Sequence, residues 1–177
     1  MSYCVIRTDL MSGTKQPADL VSLRFCTATT TGEGASAVTK YTPAEVENGV
    51  VVKLIGYEEG QREVMTAVAA SSSDDLNECA IVAGVELMYD ERKKGLDEYI
   101  NEAGKATRGY IPRSRNMFSV TKEGFVGQTV PVVGDTIGIG TGGKLDKSGS
   151  GFGECVAIET VGRYIFYTIR IGKTELE

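Results

Sequence analysis

Residues 153–171 read GECVAIETVGRYIFYTIRI. Two runs rich in β-branched and aromatic residues flank Gly162-Arg163, which is the pattern of two strands joined by a tight turn. The spacing predicts strands over 153–161 and 164–171. By the two-residue period of a strand, Ile165, Tyr167, Ile169 and Ile171 share one face, and Tyr164, Phe166, Thr168 and Arg170 share the other. The first face suits a core. The second, with two aromatics and an arginine, is too apolar to be left wholly to water. Two fates are open for it: contact with another subunit, or cover by the N-terminal half of the chain.

Upstream of this hairpin the β signal continues. Strands are expected at Met117–Val120 and Thr136–Ile139, the latter entered from Gly127–Val133 through the turn Gly134-Asp135. The stretch GIGTGGKL (138–145) meets the first seven places of the phosphate-binding pattern G-x-x-x-x-G-K-[ST]. The eighth place, which must offer a hydroxyl to a magnesium ion, is Leu145. The following DKSGSGFGE holds three glycines and cannot start the helix whose amides would face a phosphate. A turn at Gly142-Gly143 that starts a return strand at Lys144-Leu145 is the expectation. On that reading neither ATP nor GTP binds, and Lys144→Ala leaves function unchanged.

Further upstream, VENGVVVKLIG (46–56) carries Asn48-Gly49, a type I′ turn pair, before a valine-rich run. Strands are expected there, at Glu63–Ala70 and at Cys79–Val85, with a bend at Gly84. The only helical spacing lies in DERKKGLDEYINEA (90–103), where Leu96, Tyr99, Ile100 and Ala103 recur at helical intervals and Gly104 can cap. Residues 105–115, punctuated by glycine and proline, are expected to be a crossing loop. Residues 26–40, rich in Thr, Ala and Gly, are expected to be a loop or linker. Residues 1–25 show no sustained period, apart from a short strand near Asp19–Phe25, and are expected to form an extended arm. Such an arm would be disordered in the free protein and order on a partner.

Composition removes several chemistries. The 177 residues contain no histidine and no tryptophan. Ser-His-Asp and Cys-His mechanisms are therefore excluded. Cys4, Cys26, Cys79 and Cys155 are far apart and form no close ligand pair, so they are expected to be buried, reduced thiols. The net charge of −5 argues against general nucleic-acid binding and against an anionic membrane. No apolar run reaches spanning length, and the N-terminus lacks a signal-peptide core. Adjacent carboxylates at Glu58-Glu59, Asp74-Asp75 and Asp97-Glu98 point apart in strand or helix and make no acid/base pair by themselves.

Several segments together resemble structural proteins of tailed bacteriophages and prophages, in particular head decoration (cement) proteins. They are ENGVVVKLIG (47–56), EGQREVMTAVAA (59–70), the long run from Val85 to Phe125, VGDTIGIGTGGKLDKS (133–148) and the closing hairpin. The resemblance implies a non-enzymatic virion protein bound to the outside of the assembled capsid, with the major capsid protein as partner. It brings no catalytic residue, cofactor or metal. Homo-oligomerisation stays open. The expected fold is mostly β (α+β). Residues 1–40 would be arm and linker, 41–110 a β-rich part with one short helix near 95–104, and 111–177 a small C-terminal β-barrel. Arg7, Leu10, Leu20, Leu23, Tyr164, Phe166 and Arg170 are the candidate capsid or subunit contacts. A tail or connector component, and a ligand-binding β-module stacking a carbohydrate on Tyr164, Phe166 and Tyr167, are the competing expectations.

Overall fold

The computed structural model describes residues 2–11, 19–32, 37–86 and 95–172. The chain is mostly β, with helix limited among the described residues to single 3-10 turns. The strands are β1 (Leu20–Thr31), β2 (Val38–Pro43), β3 (Val51–Tyr57), β4 (Val64–Ala69), β5 (Cys79–Val82), β6 (Thr107–Tyr110), β7 (Met117–Val120), β8 (Thr136–Ile139), β9 (Leu145–Asp146), β10 (Gly153–Val161) and β11 (Tyr164–Ile171).

The closed barrel lies in the N-terminal half, not the C-terminal one. Its strands run in the order β1-β4-β3-β5-β6, and β6 pairs back onto β1. Only β1 and β4 are parallel neighbours; the other pairs are antiparallel. Closure leaves no free edge along those pairings. The C-terminal half is a five-strand sheet in the order β7-β11-β10-β8-β9. It is completed by two isolated bridges, Ile6 to Val120 and Phe125 to Leu145.

Two hydrophobic clusters explain the apolar runs. Leu23, Val50, Val52, Ala67, Ala80 and Val82 fill the barrel interior. Val51, Cys79 and Ile81, one residue out of phase, face outward into a second cluster with Phe118, Phe125, Ile137, Phe152 and Ile169 of the C-terminal sheet. β5 and the start of β3, Val51 and Val52, are therefore buried on both faces, which is why they read as continuous apolar runs rather than alternating. Segments 41–110 and 111–177 thus share one core across their junction.

The short helix expected near 95–104 is absent. A single 3-10 turn, Leu96–Glu98, is closed by the Glu98 carboxylate accepting the Gly95 N–H at 2.9 Å. Asn101 then leaves helical geometry because its backbone pairs with Val46, in both directions, at 3.0 and 3.1 Å. Its side chain donates to the Val46 carbonyl and to Asn48 Oδ1, each at 2.9 Å. Tertiary hydrogen bonds override a helical spacing that Gly95 already weakens.

The described part of 26–40 is strand, not linker: β1 runs on to Thr31 and β2 starts at Val38, paired from Cys26↔Pro43 to Thr31↔Val38, while residues 33–36 lie outside the described residues. Threonine, valine and tyrosine favour strands, and here each strand has the other as its hydrogen-bonding partner. Likewise the expected loop 105–115 begins with β6, which closes the barrel. Gly127–Val133 forms a 3-10 turn and an irregular segment that leads through a turn at Gly134 into β8, as expected. The Asn48-Gly49 turn exists, but only Gly49 has positive φ (+82°), so it is not type I′. The Asn48 side chain instead brackets Gly84, accepting its N–H at 2.9 Å and donating to its carbonyl at 3.2 Å.

The arm expected over 1–25 is the largest correction within its described residues; residues 1 and 12–18 lie outside them. Cys4, Val5, Ile6 and Met11 are buried, and Cys4, Ile6 and Met11 belong to the shared core. Arg7 N donates to the Ser119 carbonyl at 3.0 Å and Thr121 N to the Val5 carbonyl at 3.0 Å, so this segment acts as an extra strand beside β7. The lack of period is physical: Cys4, Val5 and Ile6 are buried in succession, as in a segment sandwiched on both sides.

Candidate interaction surface

The sequence-derived contact residues divide into buried and surface groups. Leu23 is fully buried inside the barrel, and Phe166 is buried at 4 % exposure. Neither can meet a partner. Leu20 is 42 % exposed at the start of β1. The side chain of Leu10 lies outside the described residues. Arg170 pairs across strands with Glu154 at 2.9 Å.

Arg7, Tyr164 and Phe166 do converge, but as an internal brace. The Arg7 guanidinium lies 5.7 Å from the Phe166 ring centroid and pairs with Asp9 at 2.6 Å and Glu159 at 3.6 Å. Arg163 sits 4.9 Å above the Tyr164 ring, and both side chains bond Asp97. Asp97 accepts from the Tyr164 hydroxyl at 2.7 Å and from Ser2 Oγ at 3.2 Å, while its carbonyl accepts Tyr3 N at 2.9 Å. The Tyr164 hydrogen bond holds the Asp97 carboxyl below its usual range, and Arg163 adds to this. Of the two fates open for the Tyr164–Phe166 face, cover by the N-terminal segment is the one observed. Phe166 and Tyr167 are buried, which removes the stacking platform that a carbohydrate would need.

The opposite face of the same hairpin is bare at its far end. Tyr167, which packs edge-on to Phe125 at 5.6 Å, marks the limit of the core. Beyond it Ile158, opposite Tyr167, and Ile165, opposite Thr160, are 43 % and 49 % exposed. A bulge between Cys155 and Ala157 shifts the phase, so that Cys155 and Ile158 lie on the core-facing side although three residues apart. That irregularity is not readable from composition, and it hid Ile158 from a strict two-residue count.

The phosphate-loop-like stretch is packed, not cradling. Lys144 Nζ bonds Glu47 Oε1 at 3.1 Å and the Glu123 carbonyl at 2.9 Å, while the other oxygen of Glu47 accepts Cys4 N at 3.0 Å. Gly143 (φ +73°) presses against β3: a Cβ there would lie 2.1 Å from the Val51 carbonyl oxygen. Lys144 therefore ties barrel, N-terminal segment and C-terminal sheet together, a role its sequence motif did not suggest.

All four cysteines are free and buried. Burial pushes the Cys4 thiol up to about 12, with Glu47 adding to it, and the Cys79 thiol up to about 11. Among the described residues no cluster of three metal-ligating side chains occurs, and no helix is long and apolar enough to cross a membrane. No family model, curated protein or solved structure matches the chain.

Proposed function

We propose that this chain is a non-enzymatic structural protein of a phage virion, which binds the outside of the assembled capsid and stabilises it. The observation that carries this reading is the bare end of the β10–β11 hairpin. One face is braced by Arg7, Arg163 and Asp97, while the other offers Ile158 and Ile165 to solvent. A rigid strand pair with an uncovered apolar face is a pre-organised protein-binding element, because little ordering entropy remains to be lost on contact. Binding only the assembled shell would favour that state by mass action. The resemblance of residues 45–172 to head decoration proteins supplies the partner, the major capsid protein.

Co-sedimentation with expanded capsids is the test. The wild-type chain pellets with the shell, and the Ile158→Glu, Ile165→Glu double variant loses at least about tenfold in affinity with an unchanged melting temperature. Failure of the wild-type chain to pellet overturns the assignment. A tail or connector component is the second reading. It is favoured by the projecting strand pair β1–β2, and pelleting with tail tubes instead of capsids would support it.

A further inference from the structure

The barrel wall has a gap where β5 starts late. Its first residue, Cys79, lies opposite Lys53 of β3. From Leu54 to Tyr57, β3 therefore keeps β4 on one side and has no described strand on the other. The gap opens as a cavity of about 530 Å³. That is the size of a small-molecule site. Leu54 and Met65 supply an apolar wall, and Tyr57, at 67 % exposure, stands beside them. Lys53, Asn77 and Glu78 line the polar side.

The charges on the polar side are compensated within the molecule. Lys53 Nζ donates to Asp74 at 2.7 Å and lies 3.8 Å from Glu78 Oε2. Asp75 Oδ1 accepts the Asn77 backbone N–H at 2.9 Å and Asn77 Nδ2 at 3.0 Å. This holds the amide in place and leaves its oxygen and one of its N–H groups for a ligand. The Glu78 side chain, 60 % exposed, adds acceptors. These groups select a ligand by elimination. An anion would meet Asp74 and Glu78, and a cation would compete with Lys53 for both. A wholly apolar molecule would strip water from Asn77 and Glu78 without replacing its hydrogen bonds. What remains is a neutral molecule with one apolar face and several hydroxyls that both donate and accept.

We propose that this cavity binds a pyranose unit of a neutral oligosaccharide. The C–H face of the sugar ring lies on Tyr57, whose π face is the negative side of its quadrupole. Leu54 and Met65 pack against the ring, while its hydroxyls donate to Glu78 and Asn77 Oδ1 and accept from Lys53 and Asn77 Nδ2. Unlike the buried Phe166 and Tyr167, Tyr57 is open to a sugar. The site shares no residue with the Ile158–Ile165 face, so it stands or fails independently of capsid binding.

Methyl NMR of the full chain, labelled at methionine, tests it, because Met65 lines the cavity and the chain has only five methionines to resolve. The probes are neutral gluco-, manno- and galacto-configured hexaoses, with an oligogalacturonate of the same length as the charged control. At least one neutral hexaose is expected to shift the Met65 methyl saturably at millimolar concentration or below, and the oligogalacturonate is not. Tyr57→Phe should keep that affinity. Tyr57→Ala and Asn77→Ala, both at exposed positions, should each lower it at least about tenfold with an unchanged melting temperature. A Met65 methyl that no neutral hexaose moves, a Tyr57→Ala variant that binds like wild type, or tighter binding of the oligogalacturonate would each overturn the proposal.

Discussion

Asp97 gathers more contacts than any other carboxylate on the hairpin brace. Tyr164, Ser2 and Arg163 all bond it. Its folded pKa lies below the ordinary value of 3.8. The stabilisation is therefore complete above that value and is lost as the pH falls through the lower, folded-state value. Asp74, lowered chiefly by the Lys53 hydrogen bond at 2.7 Å, acts in the same direction. Asp97→Asn should lower stability at neutral pH and flatten the acid limb of a stability profile below about pH 4. A limb as steep as wild type would show that Asp97 contributes nothing there. Lys144 gives a second residue-scale expectation. Lys144→Ala leaves Glu47 and the Glu123 carbonyl without their cation and should cost about 1–3 kcal/mol in urea unfolding. The expectation that Lys144→Ala leaves function unchanged, drawn from Leu145, does not bear on stability. The thiols give a third: four should react in denaturant and essentially none in the native state, since burial raises their pKa values.

At the scale of elements, the N-terminal segment is decisive. Cys4, Val5 and Ile6 are buried beside β7, at about 1.5–3 kcal/mol for each large apolar side chain. Deleting residues 2–7 should therefore lower the melting temperature steeply or prevent folding. A truncated protein that melts like the full chain would return the segment to the status of a dispensable arm. The β10–β11 hairpin shows how local and tertiary information divide. Both strands and the Gly162-Arg163 turn were legible to the residue, because alternation, β-branching and a turn pair all agreed. Which face would be covered was not, since each carries aromatics. The helix near 95–104 failed for the same class of reason: its spacing was adequate, but Asn101 had better partners in Val46 and Asn48.

For the whole molecule, the shared cluster of Val51, Cys79 and Ile81 with Phe118, Ile137 and Ile169 makes the two halves one cooperative unit. Calorimetry should give a single transition with calorimetric and van't Hoff enthalpies in agreement. Two separate transitions would mean that the halves fold independently. The sequence by itself determined that the chain is β-rich, which runs become strands β3, β4, β5, β7, β8, β10 and β11, and that Leu145 spoils the phosphate-loop pattern. These are consequences of side-chain period, β-branching and glycine, which act within a few residues. Only the tertiary structure decided that the barrel is N-terminal, that residues 4–6 and the strand from Leu20 belong to the body, and that the Tyr164–Phe166 face is covered while the Ile158–Ile165 face is bare. Closure of β6 onto β1 spans more than eighty residues of chain. Pairings at that separation are selected by the energy of the assembled core, which no local window of sequence contains.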